Sequence, residues 1–340
     1  MIWLVVPTTW EGRPGAGQWK DLQGIRLVLA RLGAAWKEFR FDGGNVGELA
    51  AQIGSAADVA IWYYTFWPEA MEELKRRCPQ ARIVLRTVNA EAFQHWTRAR
   101  KDWRRLRGLP RDVYGFFRLL GRDRRCCRAA DALAGISPWD DDHYWTRWAG
   151  AARRHSAPYF CPWPVLRPDV CPRPWAQREF DVVCLAGTRD AIGCGHVAGF
   201  AALARRPEWA GRRLAASAGL LDAPPDAWPG NVERLGRVAE PWEWLCNAKA
   251  VAVLSPLGYG SKTTATDALA AGCHVLVHPR QHARLPSAER ALAMPVDPAS
   301  ADDVRRAVAC LAQPPASAAA AVQREQMDRA LADWKRVLEP

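Results

Sequence analysis

With 340 residues, 49% of them hydrophobic and 24% charged, the chain has room for two domains of ordinary globular composition. It contains no run of eighteen apolar residues, which excludes a long apolar membrane span, and its opening MIWLVVPTTWEGRPG carries neither a basic leader nor a small-residue cleavage site. The sequence therefore reads as cytoplasmic and as starting on a strand, while its net charge of +11 suits partners that carry phosphate.

The first half alternates short apolar runs with amphipathic stretches: IWLVVP, then Trp19 to Leu32, KEFRF, Val46 to Ile53, DVAIWYY, Pro68 to Arg77, RIVLRTV, a long basic helical region, and ALAGIS. Strands separated by helices in this rhythm predict a parallel sheet covered on both faces. In the basic region, Arg98 to Arg128 hold twelve lysines and arginines against Asp102, Asp112 and Asp123, a surplus of nine, interleaved with Phe93, Trp96, Trp103, Tyr114, Phe116 and Phe117. That combination suits an anionic membrane surface. It also suits nucleic acid, ranked behind because no nucleic-acid module accompanies it.

From Ala157 to Phe180, prolines at 158, 162, 164, 168, 172 and 174 forbid regular helix or central strand and mark a connection. The rhythm then resumes with DVVCLAG, a helix from about Gly195 to Arg205, RLAASAG, NVERLG, a short helix at Trp242 to Asn247, AVAVLSP, a helix ending at Gly272, and HVLVHP. Met327, Ala330, Leu331, Trp334 and Leu338 recur at helical spacing and predict a closing helix. The expected units are a first domain over 1–160, a linker over 161–180, a second domain over 181–322, and a helix over 323–340 returning toward the first domain. Ten scattered cysteines without a C-x-x-C pair suggest neither a disulfide framework nor a zinc knuckle. His274 and His278 lie roughly 13 Å apart along one strand, so no metal site is expected.

In open parallel sheets, ligands bind beyond the carboxyl ends of strands, where helix N-termini offer free N–H groups. The most informative such place is LSPLGYGSKTTATDALAAGCHVLVHP, Leu254 to Pro279: strand, glycine loop, helix, glycine stop, strand. Gly258 and Gly260 admit close backbone approach, while Tyr259, Ser261, Lys262, Thr263 and Thr264 place donors where a phosphate would rest. Asp267 lies one turn into the helix, either facing a ligand or closing a T-x-x-D capping box with Thr264.

This segment, with D-A-L-A-A-G-C-H-V at Asp267 to Val275, resembles the donor-site signature of group 1 GT-B glycosyltransferases of the retaining type. The resemblance implies two Rossmann-like domains with parallel sheets facing across a cleft. It also implies transfer of a sugar from a UDP-, GDP- or dTDP-sugar, without an obligatory cofactor or metal, to a glycan, a lipid-linked or a small-molecule acceptor. In that family an acid at the Asp267 position holds the ribose. A second acid eight residues earlier is Tyr259 here, a departure from the pattern. Gly187, Thr188 and Arg189 correspond to the glycine turn and basic group of the first strand of the second domain. Gly236, Arg237 and Val238 correspond to the nucleobase seat. Gly15 and Gly17 correspond to the loop that closes on donor and acceptor, with Glu11, Asp21 and Asn89 as candidate catalytic groups. Two other readings stay open: a docking protein on a GT-B-like scaffold, and a nucleotide-sugar epimerase of the same architecture.

Overall fold

The computed structural model describes residues 1–8, 16–53, 58–101, 109–150, 152–185, 191–217, 229–236, 238 and 240–339. The first half runs β1 (Ile2–Pro7), α1 (Gly17–Arg31), β2 (Trp36–Phe41), α2 (Val46–Gln52), β3 (Val59–Tyr63), α3 (Pro68–Arg77), β4 (Arg82–Thr87), α4 (Glu91–Lys101), α5 (Leu109–Ala129), β5 (Ala132–Gly135), α6 (Pro138–His143) and β6 (Arg153–Ser156). Its six strands are all parallel, in the order β2-β1-β3-β4-β5-β6. Every residue of β1 is buried, as a strand covered on both faces requires.

The second half runs α7 (Trp163–Leu166), β7 (Phe180–Cys184), α8 (Ala191–Ala204), β8 (Leu214–Ala216), β9 (Val232–Arg234), α9 (Pro241–Cys246), β10 (Ala248–Val253), α10 (Thr263–Ala270), β11 (His274–Val277), α11 (Pro279–His282), α12 (Ser287–Leu292), β12 (Ala293–Pro295), α13 (Ala301–Cys310) and α14 (Ala319–Leu338). This sheet is also parallel, in the order β12-β11-β10-β7-β8-β9. Both halves are therefore Rossmann-like α/β layers, the architecture the strand-helix rhythm predicted. Two edge strands were not anticipated: β6, whose RRHS sequence is charged and largely exposed, and the short β12.

Each sheet is sandwiched between two apolar layers. In the first, Trp3, Val5, Phe41, Trp62 and Leu85 face α2, α3 and α5. Leu4, Val6, Ile61 and Val84 face Leu22, Ile25 and Leu29 of α1 and also Met327, Ala330, Trp334 and Val337 of α14. The last helix thus fills the core of the first half. The Pro-rich connection is anchored in the second half: Cys161 and Trp163 join its core, and Arg178 donates to the carbonyls of Ala248, Ala271 and Gly272, placing a cation at the carboxyl end of α10. Among the described residues, no helix is long and apolar enough to cross a membrane.

Candidate functional site

The carboxyl edges of the two sheets face each other, because the loops that follow their strands are in contact. From the second half, the loop after β10 reaches across to the loops after β4 and β5. Gly260 donates its amide to Asp140 Oδ2 at 2.6 Å, and its α-carbon faces Asn89 so closely that a Cβ there would stand 2.0 Å from Asn89 Oδ1. With φ at +78°, this position is closed to other residues on two counts. The Tyr259 ring lies 5.3 Å from Phe93 and 6.0 Å from Trp139, and its hydroxyl is 3.2 Å from Thr97 Oγ1. Gly17, at the start of α1, faces the start of α10; a Cβ on it would come within 3.3 Å of Thr263 Oγ1.

The loop is also held from its own domain. Gln281 donates to the Leu257 carbonyl at 2.8 Å, Arg284 donates to the Gly258 carbonyl, and Lys262 Nζ reaches the Tyr259 carbonyl at 3.0 Å. The Arg284 guanidinium also covers the rings of Trp139 and Tyr259 at 4.5 and 4.6 Å. Ser261, Lys262, Thr263 and Thr264 are half-buried at the N-terminus of α10, where the first amides of an eight-residue helix have no intrahelical acceptor. Free amides, two hydroxyls and the cations Lys262 and Arg284 converge there, a setting suited to the oxygens of a diphosphate.

Asp140 is the acidic counterpart. Ser137 caps α6 by accepting the Asp140 amide, which turns this carboxylate into the interface, where it is 1% exposed. Burial pushes its pKa up to about 6, against the pull of Lys262, the Gly260 and Ala90 amides, and Arg284. Neighbouring Asp141 is pushed up to about 8 by burial and by Asp140, and its Oδ2 finds no hydrogen-bond partner among the described residues. Asp140 and Arg284 were both missed from sequence. Their available signals were a Ser-x-x-Asp pattern after an apolar strand and a cation just beyond the last long strand.

Two of the candidate carboxylates are buried and bonded within the protein. Asp21 was a candidate acceptor base, but it lies 3% exposed inside the first domain. Its oxygens accept from Arg86 Nη2 at 2.5 Å, Arg86 Nε at 3.0 Å and the Tyr63 hydroxyl at 3.1 Å. A carboxylate so fully bonded is a structural anion that neutralises buried Arg86. Asp267, the candidate ribose ligand, is fully buried between α1 and α10: Oδ2 is 2.5 Å from Lys20 Nζ and Oδ1 accepts from Tyr159 at 2.7 Å. Both oxygens are engaged, so Asp267 bolts the domains together, and a ribose has no access to it in this arrangement.

Gly17, Asn89, Gly258, Tyr259, Gly260, Ser261, Lys262, Thr263 and Thr264 are gathered at the cleft, with Tyr259 turned toward the first domain. Gly236 and Val238 lie beyond the end of β9, half-buried, on the edge side of the second sheet. Glu11, Gly15, Gly187, Thr188, Arg189 and Arg237 fall outside the described residues. No group of three His, Cys, Asp or Glu able to hold a metal lies among the described residues. A groove of about 920 Å³ opens beside α6, β6, α12 and α14, lined by Arg154, Ser156, Ser287, Arg290 and Arg329 among others. It includes no residue of the 258–264 loop, so its size does not make it the donor site.

No family model matches the sequence, and no curated protein matches it either. Solved structures do match over nearly the whole chain. An α-glucosyltransferase in complex with UDP and a 13-mer DNA containing a HMU base is 11% identical, with 99% of this chain and 94% of that one covered and a TM-score of 0.60. OtsA, a trehalose-6-phosphate synthase, is 13% identical, with coverage of 99% and 97% and a TM-score of 0.59. Sucrose-phosphate synthase from Thermosynechococcus elongatus is 14% identical, with coverage of 99% and 96% and a TM-score of 0.57. Two parallel Rossmann-like sheets apposed at their carboxyl edges, in the arrangement these transferases share, make this chain a GT-B fold.

Proposed function

We propose that this chain is a glycosyltransferase that takes its sugar from a nucleotide donor, with UDP-sugars the first class to test. The observation that carries the reading is the N-terminus of α10, presented with Lys262, Thr263, Thr264 and Arg284 to the opposite domain's loops. Neighbouring structures hold UDP, as the DNA α-glucosyltransferase and the Anabaena HepE structures do. Gly236 and Val238 are assigned the nucleobase edge. Asn89 and the start of α1 at Gly17 form the side from which the acceptor enters.

In the transfer, an acceptor oxygen bonds to the anomeric carbon, the carbon–oxygen bond to the diphosphate breaks, and the hydroxyl proton leaves with the nucleoside diphosphate. The protein's part is electrostatic: amides and cations fixed around the departing oxygens lower the cost of their developing charge without a required metal. Retention at the anomeric carbon is the expected outcome. The surplus of cations from Arg98 to Arg128 supports docking to an anionic partner, and a membrane face is one such partner that vesicle binding tests.

Calorimetry with UDP, GDP and dTDP, with and without EDTA, on wild type and Lys262→Ala tests the proposal. Saturable UDP binding that survives EDTA and weakens about tenfold in the variant is expected, the loss of one charge-assisted contact. No binding by any nucleotide sinks the transferase reading. Conversion of a UDP-sugar without any acceptor sinks it in favour of an epimerase.

A further inference from the structure

Helices α4 and α5 form an antiparallel hairpin, with Arg122 reaching Glu91 at 3.2 Å near one end and His95 meeting Asp112 at 3.1 Å further along. Because α4 starts at the cleft beside Asn89, the hairpin rises past the sheet's carboxyl edge alongside the donor loop. Phe93 and Thr97 both touch Tyr259, and Trp96 packs at a tilt against Phe116, which meets Phe117 edge-on, with centroids 5.4 and 5.1 Å apart. Helix α4 thus meets the donor loop through Phe93 and Thr97 and meets α5 through Trp96.

That outer face is unusual. Arg111, Tyr114, Phe117, Arg118, Arg124 and Arg128 are all exposed, Tyr114 at 69% and Phe117 at 62%, within an arc of about 140° and along about 26 Å of helix. Arg124 lies over the Trp148 ring, and Arg122 and Arg125 are paired with acids. Arg111, Arg118 and Arg128 have no acidic partner among the described residues. The apolar side of the helix, with Leu119, Cys126 and Cys127, is already spent on the domain core. A helix that inserts into lipid needs that apolar side outward. What α5 offers outward is four guanidiniums and two separated rings, which matches a strand of alternating phosphates and bases.

We propose that this face of α5 binds single-stranded nucleic acid, with phosphates on Arg111, Arg118 and Arg128 and bases stacked on Tyr114 and Phe117, and so delivers a polynucleotide acceptor to the cleft. The delivery step rests on the transferase reading; the binding surface does not. The test is fluorescence anisotropy of the full chain with labelled 20-nucleotide DNA and RNA single strands between 50 and 200 mM salt, beside calorimetry with UDP. Salt-sensitive binding is expected. Arg111→Ala/Arg118→Ala/Arg128→Ala lowers the slope of log affinity against log salt by about two. Tyr114→Ala/Phe117→Ala weakens binding at least about fivefold per ring with the slope unchanged. UDP affinity stays the same in both variants, whose substitutions lie outside the donor loop. Oligonucleotide affinity untouched by either set overturns the proposal. So does equal competition by heparin with an inert aromatic pair, or tighter binding to phosphatidylcholine–phosphatidylglycerol vesicles lost in the same variants. Absence of UDP binding in wild type, with strand binding intact, rejects the transferase and leaves the surface standing.

Discussion

Asp140 and Asp141 are adjacent and both buried: Asp140 accepts the Gly260 amide across the cleft through Oδ2, and each carboxyl keeps one oxygen without a hydrogen-bond partner among the described residues. Both carboxyls are raised in the folded state, so the native protein holds their protons more tightly than the unfolded chain does. The contribution of these two groups to stability is therefore full below pH about 4 and is lost as pH rises, through about 6 for Asp140 and about 8 for Asp141. Asp141→Asn is expected to melt a few degrees above wild type at pH 8.5, with the gap closing toward pH 4 in a series of thermal melts. A gap constant with pH rules out the assigned titration. The Lys20–Asp267 pair behaves oppositely on mutation. Removing one partner strands a buried charge and costs about 3–5 kcal/mol, whereas Lys20→Met/Asp267→Leu costs less than the single changes sum to, as a double-mutant cycle by denaturant unfolding reports. Sequence placed Asp267 correctly one turn into its helix but not its neighbours. Lys20 is 247 residues away, and which side of α10 faces α1 is decided only when two domains dock.

At the scale of elements, the legible ones were those with a strong apolar period: all central strands, α3 and the closing helix. Of the four edge strands, β2 and β9 were legible while β6 and β12 escaped, β6 for a physical reason. Arg153–Ser156 pairs with β5 on one side only, so its side chains need not be apolar, and charge on an edge discourages pairing with other chains. Much of the cleft was legible too, because glycines and hydroxyls after β10 announce a loop and a helix start. What completes it, the Ser137-capped α6, arrives from another domain. The β10 loop owes its form to that contact, so Gly260→Ala is expected to weaken UDP binding at least about tenfold through a strained φ and collision with Asn89. Asn89→Gly relieves only the collision, so the double variant recovers part of the affinity by calorimetry. Full recovery argues against backbone strain.

For the whole molecule, the two halves are joined at three levels: the Asp140–Gly260 contact, the Lys20–Asp267–Tyr159 cluster, and α14, which packs against α10 and also into the first sheet's core. Trp334, under the Arg86 guanidinium at 5.4 Å and 1% exposed, is the centre of the last of these. Trp334→Ala is expected to cost about 3–5 kcal/mol, read by denaturant unfolding, and to loosen the first domain although the residue lies in the last helix.

The position of α14 also sets an order of events during synthesis. Residues 1–160 emerge long before Met327, Ala330, Trp334 and Val337, so one face of the first sheet waits with α1 but without the rest of its cover while the second half is being made. A nascent first domain with an open apolar slot is a natural client for chaperones, and its folding is governed by contacts of very long sequence separation. Circular permutants that attach α14 ahead of β1 would shorten that wait, and the resulting gain in refolding yield would measure how much the chain gives up by closing its first domain last.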